Sequence, residues 1–297
     1  MKKERMLRKG FILIIIGILL SGCGPSSEEQ ALISIGQTAV ATTPTPTSEN
    51  QHMPFHMETS FLESTDIDRI YDLYISLPVD YQEGLKEYPV VYVLDGDYLF
   101  GTVKEVILFN VEIKDSIVVG IGYDTDVIAD ILTNRYQDLA PNGPNYSKFT
   151  HFFIKELIPF IESSYRVDSS DRTLVGYCYS GLYSLAIMFE YPDKFNKIIA
   201  MSPNLYHNQR DIFTVEEEFA ERSKELPVKL YLSVGALEED LLNNMVSNLV
   251  ELSDVFETRG YSGFSLVMEI IDGENHSSVI PFSISKGIRA VNKYDDE

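Results

Sequence analysis

The sequence is poor in cysteine and in basic residues, and both shortages exclude classes of protein. Only two cysteines occur among 297 residues, so we expect no framework of structural disulfides. Against 45 acidic residues stand 24 lysines and arginines, which gives a formal net charge of −21. Such a balance argues against nucleic-acid binding and against electrostatic docking on anionic lipid. No cluster of His, Cys and Asp shows metal-ligand spacing, so neither a metal nor an organic cofactor is expected.

The N-terminal apolar run is too short for a comfortable membrane span. It covers residues 11–20 after a basic stretch, whereas a transmembrane helix needs about 20 apolar residues. It ends in Leu20-Ser21-Gly22-Cys23, which resembles the bacterial lipobox; an ordinary secretory signal is the alternative. We therefore expect a signal peptide over 1–22, a lipidated Cys23 and a Ser/Thr/Pro-rich tether over 23–55. The protein is then an extracytoplasmic, membrane-anchored lipoprotein whose only contact with the membrane is its lipid anchor.

Residues 56–297 form the predicted domain, and no internal repeat is present. Strand-like apolar runs alternate with helix-like segments, which is typical of an α/β fold with a mainly parallel central sheet and helices on both faces. Short, near-continuous apolar runs indicate buried parallel strands. Strands are predicted at 70–77, 88–94, 116–122, 172–175, 197–201, 228–234 and 264–271. Helices are predicted at 149–165, 182–191, 243–259 and after Pro281.

One turn between a predicted strand and a predicted helix resembles a nucleophile elbow. The usual pattern is Gly-x-Ser-x-Gly, with the reactive group on a strained turn. Here an apolar strand leads to Gly176, Cys178 stands at the tip, and Ser180 occupies the position of the second glycine. Cysteine is intrinsically nucleophilic, and a nearby histidine or a helix N-terminus favours its thiolate. Ser180 adds a side chain where helix and strand pack closely, but it is small enough for the turn to persist.

The order of these segments resembles the α/β-hydrolase layout, and in particular its esterase D-like branch. The resemblance covers roughly residues 64–291. Cysteine departs from the serine of this family, although Gly-Tyr-Cys also resembles the elbow of dienelactone hydrolases. The family implies an ester hydrolase acting on a small-molecule ester, and some of its members hydrolyse ferric-siderophore esters. The segments that carry the resemblance are 88–96, 153–162 with Tyr165-Arg166, the elbow, 201–203 and 273–276.

This resemblance assigns the partners of Cys178 in a triad, whose chain order in the fold is nucleophile, acid, histidine. His276 follows the last predicted strand, in a Gly-Glu-Asn-His loop, and is the expected base. The family's Gly-x-x-acid pattern after strand 228–234 selects Glu238 as the acid, with Glu239 or Asp240 as alternatives. Carboxylates just past a parallel strand lie on the same edge of the sheet as the elbow.

The oxyanion hole of this fold is made from backbone amides. One is the amide of the residue after the nucleophile, here Tyr179. The other comes from the loop after an early strand, where the resemblance favours Asp97 or Tyr98.

Two further side chains near the elbow are candidates for contact with substrate. Arg135 lies in a stretch that resembles the family's Arg-x-x-Asp-Leu-x-Pro; it either contacts an anionic or carbonyl-rich substrate or pairs with Asp138. Tyr177 would suit an aromatic or cyclic acyl group, and packing explains it equally well.

Three functions follow from these residues. The first is a hydrolase of ester or related acyl bonds that uses a Cys-His-Glu triad, and a siderophore-type esterase is one form that it could take. An inactive α/β-hydrolase scaffold that acts as a binding protein is the second, because free cysteine is commonly buried. The third is an acyltransferase with an acceptor other than water.

Overall fold

The structure is a computed structural model that describes residues 56–239 and 244–294. The predicted signal peptide, Cys23, the tether 23–55 and Asp240 lie outside the described residues. Within the described part of the chain, no helix combines the length and the apolar character needed to cross a membrane.

Strands and helices alternate along most of the described chain, and strands open it. The strands are β1 (His56–Glu63), β2 (Ile70–Leu77), β3 (Tyr88–Val93), β4 (Ile117–Tyr123), β5 (Val167–Tyr177), β6 (Lys197–Met201), β7 (Lys229–Gly235) and β8 (Ser265–Ile271). The helices are α1 (Gly96–Leu108), α2 (Ile128–Leu139), α3 (Tyr146–His151), α4 (Ile158–Ser164), α5 (Tyr179–Glu190), α6 (Asp211–Arg222), α7 (Met245–Arg259) and α8 (Val279–Asn292). A π-helical segment, Phe152–Leu157, joins α3 to α4.

These strands form one sheet in the order β1-β2-β4-β3-β5-β6-β7-β8. The β1–β2 and β2–β4 pairs are antiparallel, and every pair from β4 to β8 is parallel. The parallel strands therefore end at one edge of the sheet, and in such sheets ligands bind beyond that edge. The predicted α/β fold with a mainly parallel sheet is confirmed.

The core has two apolar layers, one on each face of the sheet, because side chains alternate along a strand. On β3, Val91 and Val93 pack in the layer covered by α1 and α8, whereas Val90 and Tyr92 pack in the layer covered by α3, α4 and α5. Because it is covered on both faces, β3 reads as a near-continuous apolar run. The elbow strand β5 lies beside it.

Several boundaries differ from the sequence prediction, and three of the differences have a clear physical reason. The helix predicted at 149–165 is interrupted by the π-helical segment, which ends two residues before Pro159. Proline lacks the N–H that would continue the hydrogen-bond ladder of the helix. Helix α8 starts before Pro281 rather than after it, since the first turn of a helix needs no N–H at that position. Strand β5 begins at Val167, which pairs with Tyr88 of β3. The residues that follow, 168–172, are polar and show no strand pattern in the sequence.

Candidate active site

The turn between β5 and α5 has the geometry of a nucleophile elbow. Cys178 has φ 58° and ψ −110°, a strained conformation for a residue with a side chain. Its thiol is free and half-buried. A Cβ on Gly176 would lie 2.1 Å from the carbonyl oxygen of Ser180, so only glycine lets α5 fold back this tightly on the strand. Helix α5 begins at Tyr179, three residues before the predicted start.

The histidine predicted from sequence contacts the predicted acid. His276 Nδ1 lies 2.5 Å from Glu238 Oε2. The other oxygen, Oε1, accepts hydrogen bonds from the Gly235 amide at 2.6 Å and from Ser202 Oγ at 2.7 Å. Both oxygens of this buried carboxylate are thus occupied, and its position is fixed at the end of β7. The alternative acid Glu239 instead accepts the amides that open α7, those of residues 246 and 247.

The charge on His276 is set by its neighbours. Burial lowers the pKa of this imidazole, but the hydrogen bonds and charges of Cys178 and Glu238 outweigh it and raise the pKa from 6.5 to about 9. The backbone carbonyl of His276 also accepts the Tyr177 hydroxyl at 2.5 Å, and the two rings lie 4.8 Å apart. These contacts favour the protonated form of the imidazole and hold it against the elbow.

The loop after β3 holds the second predicted amide donor. Asp95 adopts the left-handed conformation with φ 56°, and α1 begins at Gly96, where a Cβ would lie 2.6 Å from the Ile121 amide nitrogen. The Tyr98 amide donates to the Asp95 carbonyl at 3.1 Å. The Asp97 carboxylate accepts the Tyr123 amide at 3.1 Å, which fixes the loop on β4. Because the Tyr98 amide is engaged with Asp95, Asp97 stays the prediction for the second oxyanion donor.

Arg135 occupies a different place from either expectation. It is 7% exposed, and its Nε donates to Asp95 Oδ1 at 2.7 Å. Asp138 pairs with Arg69 and also accepts the Tyr71 hydroxyl at 2.8 Å. A guanidinium buried in this way is bonded to other groups of the protein and offers little surface to a substrate.

Tyr177, the other predicted substrate contact, is also buried. Its hydroxyl is occupied by the carbonyl of His276. Through this hydrogen bond, Tyr177 holds the loop that carries His276.

Sequence reasoning missed several side chains next to the elbow. Ser202, with φ 40°, supports Glu238 as described, and it lies in the 201–203 segment that carried the family resemblance. His207 follows no strand end, yet its ring lies 5.4 Å from that of Tyr179. Tyr136 completes the cluster, 5.6 Å from Tyr179. These three rings form an aromatic cluster beside Cys178, and it is assembled by the packing of α2 and of the turn at His207 against the start of α5.

One group of described residues approaches metal-ligand geometry: Asp66, His151 and Glu156, whose ligand atoms lie within 4.8 Å of one another. His151 Nδ1 pairs with Asp66 Oδ2 at 2.7 Å, and Glu156 accepts the Thr65 hydroxyl at 2.7 Å. These groups join the turn between β1 and β2 to α3 and the π-helical segment.

Comparison with known proteins places these features in a family. Residues 64–277 match the family model described as "Putative esterase". The ferri-bacillibactin esterase BesA of Bacillus subtilis is 27% identical over 257 residues, which are 78% of this chain and 88% of the relative. A siderophore triacetylfusarinine C esterase of Aspergillus fumigatus is 25% identical over 283 residues, 82% and 94% of the two chains.

A solved structure, that of the BES protein from Bacillus cereus, superimposes with a TM-score of 0.72 at 27% identity and covers 80% of this chain and 96% of its own. The match to the family model spans most of the described domain and includes the elbow, Glu238 and His276. The chain therefore belongs to this esterase family, and it is an ester-hydrolysing enzyme with an α/β-hydrolase fold.

Proposed function

We propose that Cys178, His276 and Glu238 form the catalytic triad with which this chain hydrolyses a small-molecule ester. The observation that carries the proposal is the imidazole of His276, held 2.5 Å from the buried Glu238 carboxylate and hydrogen-bonded to a cysteine on a strained elbow. A base oriented by a buried acid, beside a nucleophile, is the general arrangement of covalent acyl-transfer catalysis.

The proposed first step forms an acyl-enzyme. The Cys178 sulfur, as a thiolate paired with the imidazolium of His276, attacks the carbonyl carbon of the ester. The C=O bond becomes an oxyanion, which accepts hydrogen bonds from the amides of Tyr179 and Asp97. His276 then gives its proton to the leaving oxygen, the C–O bond breaks, and the alcohol departs.

The second step releases the acid. His276, now neutral, takes a proton from water, whose oxygen attacks the thioester carbon. The tetrahedral intermediate uses the same two amides, and its collapse breaks the C–S bond. The carboxylic acid leaves, and the thiolate–imidazolium pair is restored. Throughout both steps, Glu238 holds the imidazole ring of His276 in one orientation and stabilises its protonated form.

The substrate we propose is a siderophore-type ester. Its support is that two relatives, each aligned over most of this chain, are siderophore esterases. The N-terminal sequence supports the proposed location, in which residues 1–22 are removed, Cys23 is lipidated and a tether to residue 55 carries the domain outside the cytoplasm.

The test combines two substrates with two variants of the nucleophile. We expect hydrolysis of p-nitrophenyl butyrate and of a ferric siderophore ester, the latter followed by chromatography of its products. Cys178→Ala should abolish both activities, and Cys178→Ser should retain measurable activity because the base and the amides are unchanged. Iodoacetamide should label Cys178 and stop turnover in parallel. A Cys178→Ala protein as active as the wild type would exclude the triad. Acyl transfer would be indicated instead if an added alcohol outcompeted water for the acyl group.

A further inference from the structure

Ser180 makes contacts that a glycine at this position of the elbow lacks. It lies in the first turn of α5, two residues after Cys178, and is fully buried. Its Oγ accepts the Tyr177 amide at 2.7 Å and donates to Asp95 Oδ2 at 2.6 Å. In the Gly-x-Ser-x-Gly pattern this position carries no side chain. The departure from the pattern therefore adds both a donor and an acceptor directly behind the nucleophile.

Asp95 also forms an ion pair with Arg135. Its other oxygen, Oδ1, accepts Arg135 Nε at 2.7 Å, and Arg135 Nη2 donates to the Tyr177 carbonyl at 2.6 Å. The exposed fractions of Ser180, Asp95 and Arg135 are 0%, 3% and 7%. Hydrogen bonds to charged groups are strong in such surroundings, and removing one partner leaves another unsatisfied.

These contacts join the two halves of the predicted oxyanion hole. Both backbone polar groups of Tyr177, the residue before the nucleophile, are held: its amide by Ser180 and its carbonyl by Arg135. Asp95, at the centre, is the left-handed residue that starts the loop of Asp97. The elbow and the oxyanion loop come from β5 and β3, and a buried ion pair with a hydroxyl bridge links them.

We propose that Ser180, Asp95 and Arg135 form a positioning unit, which we call the elbow brace, that holds the Cys178 sulfur and the amides of Tyr179 and Asp97 in one geometry. The inference rests on the proposed function. Sulfur reaches farther from the backbone than a serine oxygen, so a cysteine nucleophile requires its own placement of elbow and loop. None of the three residues contacts the reacting atoms, and their effect acts through the backbone.

The first test removes the Ser180 hydroxyl. We expect Ser180→Ala to lower kcat by about 10- to 100-fold, because a misplacement near 1 Å costs about 100-fold, and to leave KM within about twofold. The rate of Cys178 alkylation by iodoacetamide should stay within about twofold, since this displacement develops no oxyanion. Ser184→Ala is the matched control: it is a buried serine one turn further along α5, whose Oγ donates only to the Ser180 carbonyl. Its kcat should be unchanged.

The second test changes Arg135, at the other end of the brace, so that the inference can still be tested if the Ser180 variant folds poorly. Arg135→Lys keeps the charge but not the paired geometry, and it should also lower kcat with little change in KM. Because both variants act on one unit, the double variant should lose about as much as the worse single one rather than the product.

Two outcomes separate this inference from the proposed function. If the wild type hydrolyses esters and Ser180→Ala lowers only the melting temperature, with kcat unchanged below it, the brace is merely structural and the inference is overturned. Multiplicative losses in the double variant would overturn it as well. A wild type that turns over no ester, and is matched by Cys178→Ala, refutes the proposed function instead.

Discussion

The elbow predicts a sharp penalty for one methyl group at Gly176. A Cβ there would lie 2.1 Å from the Ser180 carbonyl oxygen and 2.4 Å from its carbon, whereas ordinary contact begins at 3.4 Å. The start of α5 must therefore move by about 1 Å, which costs about 100-fold in kcat when the moved atoms carry the nucleophile. The overlap also costs about 1–3 kcal/mol of unfolding free energy, as overpacking does elsewhere.

Gly101→Ala is the control for Gly176→Ala. Gly101 lies inside α1, and an added Cβ meets no atom within 4 Å. Alanine is better than glycine in a helix interior by about 0.5–1 kcal/mol, so this variant should be slightly stabilised with unchanged kcat. The assay is urea unfolding together with p-nitrophenyl butyrate kinetics on each protein. Wild-type kcat and stability in Gly176→Ala would refute the geometry assigned to the elbow.

Three further predictions concern charge. In the proposed mechanism His276 must carry a proton, so kcat/KM should fall as the pH rises through about 9. Glu238→Gln removes a group that raises this pKa and should move the fall to lower pH. The raised folded-state pKa also contributes stability that is complete below 6.5 and is lost as the pH rises through about 9, which urea unfolding across that range measures. Glu216→Ala should lower the free energy of unfolding by about 1–3 kcal/mol without changing kcat. Buried Glu216 accepts Arg259 Nε at 2.9 Å and the Tyr261 hydroxyl at 2.6 Å, and none of these three residues belongs to the proposed site.

The parts of the fold that sequence predicts are those whose burial leaves a local pattern. The strands β3, β4, β6 and β7 are buried on both faces and appear as apolar runs. Strand β1 lies at the edge of the sheet with much of its length exposed, so its residues carry no such pattern and it escaped prediction. The π-helical segment escaped for another reason: its residues are as apolar as those of an ordinary helix, and only the hydrogen-bond register differs.

Among the residues of the candidate site, too, some positions follow from a local sequence pattern and others do not. Cys178, Glu238 and His276 each follow the end of a recognisable strand, so their shared edge of the sheet follows from chain order. Arg135 shows the limit of this reasoning, because Asp138 is the nearer acid along the chain whereas Asp95, 40 residues away, is the actual partner. The choice depends on how α2 packs against the elbow, which no local pattern contains.

The buried carboxylate of Glu238 argues for an enzyme rather than a binding scaffold. Its side chain is 2% exposed, and removing a carboxylate from water costs several kcal/mol before its partners compensate. In a scaffold that only bound a ligand, apolar residues of similar size would stabilise the fold at least as well as this carboxylate does. Two hydrogen bonds and an imidazolium nevertheless hold this charge in one position, directed at His276. In the proposed triad, a charge fixed at this free-energy cost serves the reaction, because the imidazolium on which it acts must repeatedly give up and regain a proton.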